Sequence, residues 1–371
     1  MKYYIIAGEA SGDLHGSNLV KELLHLDAKA EIRAWGGEKM QSAGAVVVKD
    51  YKDLAFMGFA EVIKNLPVIF RNLKFCKKDI LQYNPDVLVL IDYPGFNLRI
   101  AKWARKADLR IVFYISPQVW AWKESRVKTI KRDIDKMLVI LPFEKDFFKK
   151  WNYEVEYVGH PLVEVIRQEQ RKVTQPLSSR PIVALLPGSR EQEIRRKLPV
   201  MLQTAARFPA YDFIVARAPG LPDSYYEPFM AAYENVKAVS NDTYNLLKQA
   251  KAALVTSGTA TLETALFGVP QVVCYKAGAI SYEIGKRLIK IKYISLVNLI
   301  MDKQVVKELI QDAFTPAKLT LELRRILTDD RTMQRMEADY RKLRNLLSIG
   351  GNASANAARA IIEFVNSGSN K

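Results

Sequence analysis

The chain carries 371 residues, 49% of them hydrophobic and 26% charged, with 56 Lys and Arg against 40 Asp and Glu for a formal net charge of +16. This is globular composition, long enough for two domains, and it excludes a disordered or disulfide-stapled chain; Cys76 and Cys274 stand far apart in apolar settings that fit a reducing cytoplasm. No window approaches the ~20 uninterrupted apolar residues of a membrane span, the opening YYIIA is too short for a signal peptide, and the excess positive charge asks for an anionic partner.

In chain order, YYIIAG (3–8) predicts a strand, followed by the turn GEASGD (8–13) and a helix over DLHGSNLVKELLHL (13–26). EIRAWGG (31–37) predicts a second strand leading to a turn. The stretch MGFAEVIKNLPVIFRNLKF (57–75) interleaves Lys64, Arg71 and Lys74 with Leu66, Val68, Ile69, Phe70 and Leu73, more apolar than a surface helix needs. That mixture suits an anionic membrane surface, with ordinary core packing as the competing reading. DVLVLID (86–92), RIVFYIS (110–116), KMLVILP (136–142) and EVEYVGHP (154–161) predict four more strands. KESRVKTIKR (123–132) and GKRLIKIK (285–292) add basic character, but no zinc finger, RNA-recognition signature or basic tail argues for nucleic acid. Residues 166–180 lose the apolar rhythm and read as a linker.

The second half restarts with PIVALLPGSR (181–190), then YDFIVARAPG (211–220), AALVTSG (252–258) and QVVCYKAG (271–278), again strands separated by helices. GGNASANAARAIIEFV (350–365) predicts a Gly-opened, Ala-rich helix. Such alternation indicates parallel, doubly wound sheets. The expected architecture is α/β, with two Rossmann-like domains over 1–165 and 181–345 facing a central cleft and a helix within 346–371 packing back on the N-terminal domain.

Ligands in open α/β sheets bind beyond the carboxyl ends of the strands, so the residues just after each strand are the candidate site. In SGTATLE (257–263), Ser257, Gly258, Thr259, Ala260 and Thr261 put hydroxyls and backbone N–H groups at a helix N-terminus, where partial positive charge favours phosphate. Glu263 is placed to accept hydrogen bonds from a ribose diol; a plain capping box is the competing reading. Gly188 and Ser189 would let the backbone approach phosphates, and Arg190 offers a permanent cationic fork. Asp92 ends a very apolar strand, where desolvation lifts a carboxyl toward the range of a general base; its competing role is to brace the turn before Pro94. Glu9, Ser11, Asp13 and His15 form an acidic, hydroxyl-bearing loop suited to sugar hydroxyls. His15 is a lesser candidate base because it lies a turn into the helix, as a surface histidine would. His160 reads as a turn histidine. Asp133 and Asp135 make a DxD, but within KTIKRDIDK they read as helix-surface and cap residues, and the three histidines lack ligand spacing, so neither metal nor cofactor is expected.

GEASGD, SPQVWAW (116–122), LPFE (141–144), VGHP (158–161), LLPGSREQE (185–193), SGTATLE and SLVNLI (295–300), in that order, resemble the lipid-A-disaccharide synthase family from Gly8 to about Pro316. The resemblance implies a GT-B, inverting, UDP-sugar-dependent glycosyltransferase without cofactor. Its implied donor is UDP-2,3-diacylglucosamine and its acceptor 2,3-diacylglucosamine 1-phosphate, joined through a β-1,6 linkage in lipid A synthesis with release of UDP. It further implies a peripheral seat on the cytoplasmic face of the inner membrane, with a homo-oligomer left open, and adds Asn298 on the donor side. IDYPGFN (91–97) has Gly95 where some members carry a second Asp, leaving Asp92 the only carboxylate of the motif. Two other readings stand beside it: another GT-B UDP-sugar transferase or UDP-GlcNAc epimerase, and a non-catalytic nucleotide-sugar-binding protein.

Overall fold

The computed structural model describes residues 1–54, 66–218, 220–278, 282–283 and 291–368. The chain divides into two compact units, Met1–Pro161 together with Ser348–Lys371, and Leu162–Leu347. The first is built on seven strands, β1 (Lys2–Ala7), β2 (Glu31–Gly36), β3 (Val46–Asp50), β4 (Val87–Ile91), β5 (Ile111–Tyr114), β6 (Lys136–Val139) and β7 (Glu156–Tyr157). They lie in the order β3-β2-β1-β4-β5-β6-β7, and every pairing is parallel. Side chains alternate between two cores: Tyr3, Ile5, Val87 and Val89 enter one, Tyr4, Ile6, Leu88 and Leu90 the other. A sheet covered on both faces needs no polar alternation, which is why these strands read as unbroken apolar runs.

The helix Ala353–Ser367 belongs to this first unit and packs on the helix Ala10–Leu26. Its Ala357, Ala358, Ile361 and Val365 share a core with Leu19, Val20 and Leu23, and Arg110 ties its end by donating to the Val365 carbonyl at 2.7 Å. The second unit holds β8 (Ile182–Leu186), β9 (Asp212–Arg217), β10 (Val236–Ser240), β11 (Ala250–Thr256), β12 (Gln271–Tyr275) and β13 (Lys307–Ile310). Their order is β10-β9-β8-β11-β12-β13, again all parallel. Strand order reverses beside β1 in one sheet, against β4, and beside β8 in the other, against β11. At such a reversal the flanking connections leave on opposite faces and open a crevice at the carboxyl ends of the two strands.

Four departures from the sequence reading share one cause. β3, β10 and β13 were not expected, and the run at 154–161 contracts to the two residues of β7. All four are edge strands, half-covered and of mixed polarity, so they lack the apolar signature of central strands. The expected linker at 166–180 is also corrected. Its first part completes the helix Pro161–Arg171, whose Leu162, Val163 and Ile166 are buried. The remainder is pinned: Lys248 donates to the Lys172 carbonyl at 2.9 Å, and the backbone N–H groups of Gln175 and Leu177 reach Asn245 and Gln249 at 3.1 and 3.0 Å.

Candidate active site

At the first reversal, Asp92 directly follows β4. Asp92 and Tyr93 are consecutive residues in the left-handed region, at φ +44° and +47°. The turn is clamped by Asn97, a buried residue whose Nδ2 donates to the carbonyls of Asp92 (2.8 Å) and Ile91 (3.1 Å). The Tyr93 ring occupies the space a Cβ on Gly8 would take, with ring carbons 2.2–2.7 Å from that position, so only glycine fits at the end of β1. Burial, and then the charge of Glu9, push the Asp92 carboxyl up to about 7. A carboxyl held near neutrality is suited to take and return a proton at physiological pH. Glu9 itself occupies the N-cap position of the helix Ala10–Leu26, and Ser11 is exposed on its first turn.

Among the expected acceptor-side residues, Asp13 is instead structural. Asp13 is buried and accepts from the backbone N–H groups of Gly37, Lys39 and Met40 at 2.7, 3.2 and 3.1 Å, capping the short helix Glu38–Ser42. Its oxygens satisfy orphan donors that no intrahelical carbonyl reaches. His15 is neither a surface histidine nor a good base: burial and the charge of Lys39 bring its pKa down to about 4. His160 is buried too, its pKa lowered to about 3 by burial and by proximity to His15. The LPFE turn contributes a further buried carboxyl. Glu144 is buried, accepts from Ser116 Oγ and from Leu141 N–H (2.9 Å), and is raised to about 7 by burial. It joins the ends of β5 and β6 beside the SPQVWAW loop.

At the second reversal lies a cavity of about 450 Å³. Its walls include Gly188, Ser189 and Arg190 after β8, Ser257, Gly258, Thr259 and Ala260 after β11, and Glu263. Gly188 has φ +124°, and a Cβ there would strike the Glu193 side chain, so the turn admits no larger residue. Arg190 is exposed and is the N-cap of the helix Glu191–Ala205. Gly258 is the N-cap of the helix Thr259–Leu266, and Thr259 and Ala260 of its first turn line the cavity, at the end of a helix where backbone N–H groups lack intrahelical acceptors. Glu263 accepts from the Tyr244 hydroxyl at 2.7 Å, and burial raises its pKa.

Not every hydroxyl of this loop is available to a ligand. Thr261 is fully buried, donates to the Gly258 carbonyl at 2.8 Å and does not line the cavity. Ser257 donates to the Ile294 carbonyl at 2.8 Å. Asn298 is corrected most strongly: it is fully buried, its Nδ2 donates to the Val306 carbonyl and to Glu308 at 2.9 Å each, and its Oδ1 accepts from Val305 and Val306 N–H. Every polar atom of that amide is used in bracing the approach to β13, and it is absent from the cavity wall. Lys197, which the sequence reading passed over, is buried beneath the cavity and donates to Thr256 Oγ1.

Of the DxD pair, Asp135 is exposed as a surface residue should be, whereas Asp133 departs from that reading. Asp133 is buried and bonded to Arg132 at 2.6 and 2.7 Å, while Asp135 accepts from Arg105 (2.5 Å) and from Ile111 N–H (2.9 Å). Among the described residues no group of three His, Cys, Asp or Glu side chains is placed to hold a metal.

Of the stretch expected at a membrane, residues 57–65 and the Leu66 side chain lie outside the described residues. The helix Leu66–Tyr83 divides the rest between two faces. Leu73 is only 8% exposed and Ile69 packs on the same core, so these two are core residues rather than a lipid-facing surface. Val68 is half-buried. Phe70, 66% exposed, points outward with Phe75 and Leu81, among the exposed Arg71, Lys74 and Lys78. Among the described residues no helix is long and apolar enough to cross a membrane.

A family model described as lipid-A-disaccharide synthetase matches residues 3–362. The chain is 40% identical to the lipid-A-disaccharide synthase of Geobacter metallireducens, covering 97% of this chain and 96% of that protein. It is 37% identical to that of Coxiella burnetii, covering 97% and 98%. Its fold is similar to the UDP-GlcNAc 2-epimerase of Neisseria meningitidis bound to UDP-GlcNAc (TM-score 0.69, 10% identity, 99% of this chain and all of that one). It is also similar to the glycosyltransferase of kitacinnamycin (TM-score 0.68, 15% identity, 98% of both chains).

Proposed function

The chain belongs to the lipid-A-disaccharide synthase family and is a GT-B glycosyltransferase, and from that premise we propose that it transfers 2,3-diacylglucosamine from UDP-2,3-diacylglucosamine to 2,3-diacylglucosamine 1-phosphate. The products are the β-1,6-linked disaccharide 1-phosphate and UDP. The observation that carries the donor side is the cavity of about 450 Å³ at the β8/β11 reversal, which joins a helix N-terminus, a glycine turn and an arginine in one wall. That is the size and chemistry of a nucleoside diphosphate site.

In this reading Asp92 takes the proton of the acceptor 6-hydroxyl as its oxygen attacks the anomeric carbon. The bond to the UDP oxygen breaks with its electron pair, and the configuration inverts. Arg190 and the N–H groups at Gly258, Thr259 and Ala260 neutralise the departing diphosphate, with Gly188 and Ser189 allowing close approach. Glu263 binds the ribose, and Glu9 and Ser11 remain candidates for the acceptor side. The outward face carrying Phe70, Phe75 and Leu81 among Arg71, Lys74 and Lys78 supports a peripheral seat on an anionic leaflet, the cytoplasmic face of the inner membrane.

The test is UDP release by the purified protein from UDP-2,3-diacylglucosamine, with and without 2,3-diacylglucosamine 1-phosphate, in detergent containing EDTA. Release that depends on the acceptor and survives the chelator is the expected result. Release without acceptor, or none, overturns the proposed transfer.

A further inference from the structure

Lys197 lies on the second turn of the helix Glu191–Ala205 and is 2% exposed. Its one hydrogen bond among the described residues goes to Thr256 Oγ1; the carboxylate that acts on its charge, Glu193, is not hydrogen-bonded to it there. The groups around it are Glu193, Arg190 and Arg196 from its own helix, with Cys274 and Tyr275 from β12. Burial lowers its pKa, against the opposing pull of the Glu193 charge. A buried lysine with no carboxylate hydrogen-bonded to it is costly, so its place calls for an explanation.

Thr256 is the last residue of β11 and lines the cavity. Its oxygen accepts from Lys197, and among the described residues its own O–H proton has no acceptor. A hydroxyl that accepts from an ammonium is a stronger donor through its remaining hydrogen.

We propose that Lys197 is a positioning residue for an anionic ligand oxygen in this cavity, acting through Thr256: the ammonium fixes and polarises the threonine hydroxyl so that it donates to the diphosphate. The ligand then adds negative charge where Glu193 alone does not offset burial. This rests on the nucleoside diphosphate reading above and extends it to residues that neither the glycine turns nor the helix N-terminus includes.

The experiment compares UDP and uridine binding by calorimetry in wild type, Lys197→Met, Thr256→Val and the double variant. Methionine keeps the length of the side chain and removes the charge. UDP affinity is expected to fall ~10- to 100-fold in Lys197→Met and ~10-fold in Thr256→Val, with the double variant within about 2-fold of Lys197→Met and uridine binding nearly unchanged throughout. Equal losses for UDP and uridine, or wild-type UDP affinity in Lys197→Met, overturn the assignment and leave the nucleotide site standing. If Lys197→Met does not fold, Thr256→Val decides by the same comparison. A wild-type protein that binds neither compound overturns the nucleotide reading, and this inference with it.

Discussion

The side-chain amide of Asn97 donates to the main-chain carbonyl of Asp92 at 2.8 Å and reaches that of Ile91 at 3.1 Å. Two successive non-glycine residues at positive φ are held open by that clamp and by the absence of a side chain at Gly8. Asn97→Ala removes the donor and leaves the buried carbonyls short of a partner. It is expected to destabilise the protein by about 1–3 kcal/mol in denaturant titration and to lower kcat while UDP affinity holds. A variant with wild-type kcat shows that the turn does not depend on Asn97.

Asp92→Ala is expected to cost roughly 10²- to 10⁴-fold in kcat with UDP still bound. Because burial and Glu9 raise the wild-type carboxyl to about 7, activity requires its ionised form and is expected to climb with pH below 7 and level off above it. A flat profile between pH 5.5 and 8 in wild type removes Asp92 as the base.

The same shift predicts a stability change of opposite sense. The native carboxyl titrates near 7 and the unfolded one near 3.8, so between these values the native state binds more protons. Stability is therefore lost as pH rises through that window. Asp92→Asn avoids the loss, and should exceed wild type at pH 8 by on the order of a few kcal/mol while matching it near pH 4. Glu144, shifted in the same direction, is common to both proteins and cancels. Chemical denaturation at the two pH values measures the difference.

Glu263 is oriented by the Tyr244 hydroxyl at 2.7 Å. If it holds the ribose, wild type should bind UDP more tightly than 2′-deoxy-UDP, and Glu263→Ala should lose that preference. Tyr244→Phe is expected to weaken UDP by roughly 5- to 10-fold by freeing the carboxylate. Preference retained in Glu263→Ala assigns the ribose elsewhere.

Phe70 and Leu81 face outward while Leu73 is buried in the core. Phe70→Ser with Leu81→Ser should reduce sedimentation with anionic vesicles and leave the melting temperature nearly unchanged. Leu73→Ser should instead lower the melting temperature, since it buries a hydroxyl where a core side chain stood. Unaltered vesicle binding in the first pair argues against this helix as the membrane contact.

What could be read from the sequence was what depends on neighbours in the chain. Central strands announced themselves through apolar runs, and the loops after them fell at both reversals of strand order because a parallel sheet delivers its carboxyl ends to one edge. Asp13, Thr261 and Asn298 were misplaced for a common reason. A polar residue inside a loop motif looks the same whether it faces a ligand or satisfies backbone donors and acceptors, and only the fold reveals that Asp13 meets Gly37 and Asn298 meets Val306. Lys197 and Glu144 were overlooked for the converse reason: each is burdened with burial by residues distant in sequence, Thr256 and Ser116 among them. The edge strands failed because a half-covered strand carries half the apolar signal.

The helix Ala353–Ser367 places Ala357, Ile361 and Val365 in a core that begins with Tyr3 and Ile5. During synthesis the first domain therefore waits, one face of its sheet covered only in part by the helix Ala10–Leu26, until residue 365 has left the ribosome. The segment Leu162–Leu347 is contiguous and can fold as soon as it emerges. The order of folding is thus reversed relative to the order of synthesis, and the nascent N-terminal segment, apolar and incomplete, is where a chaperone would be needed.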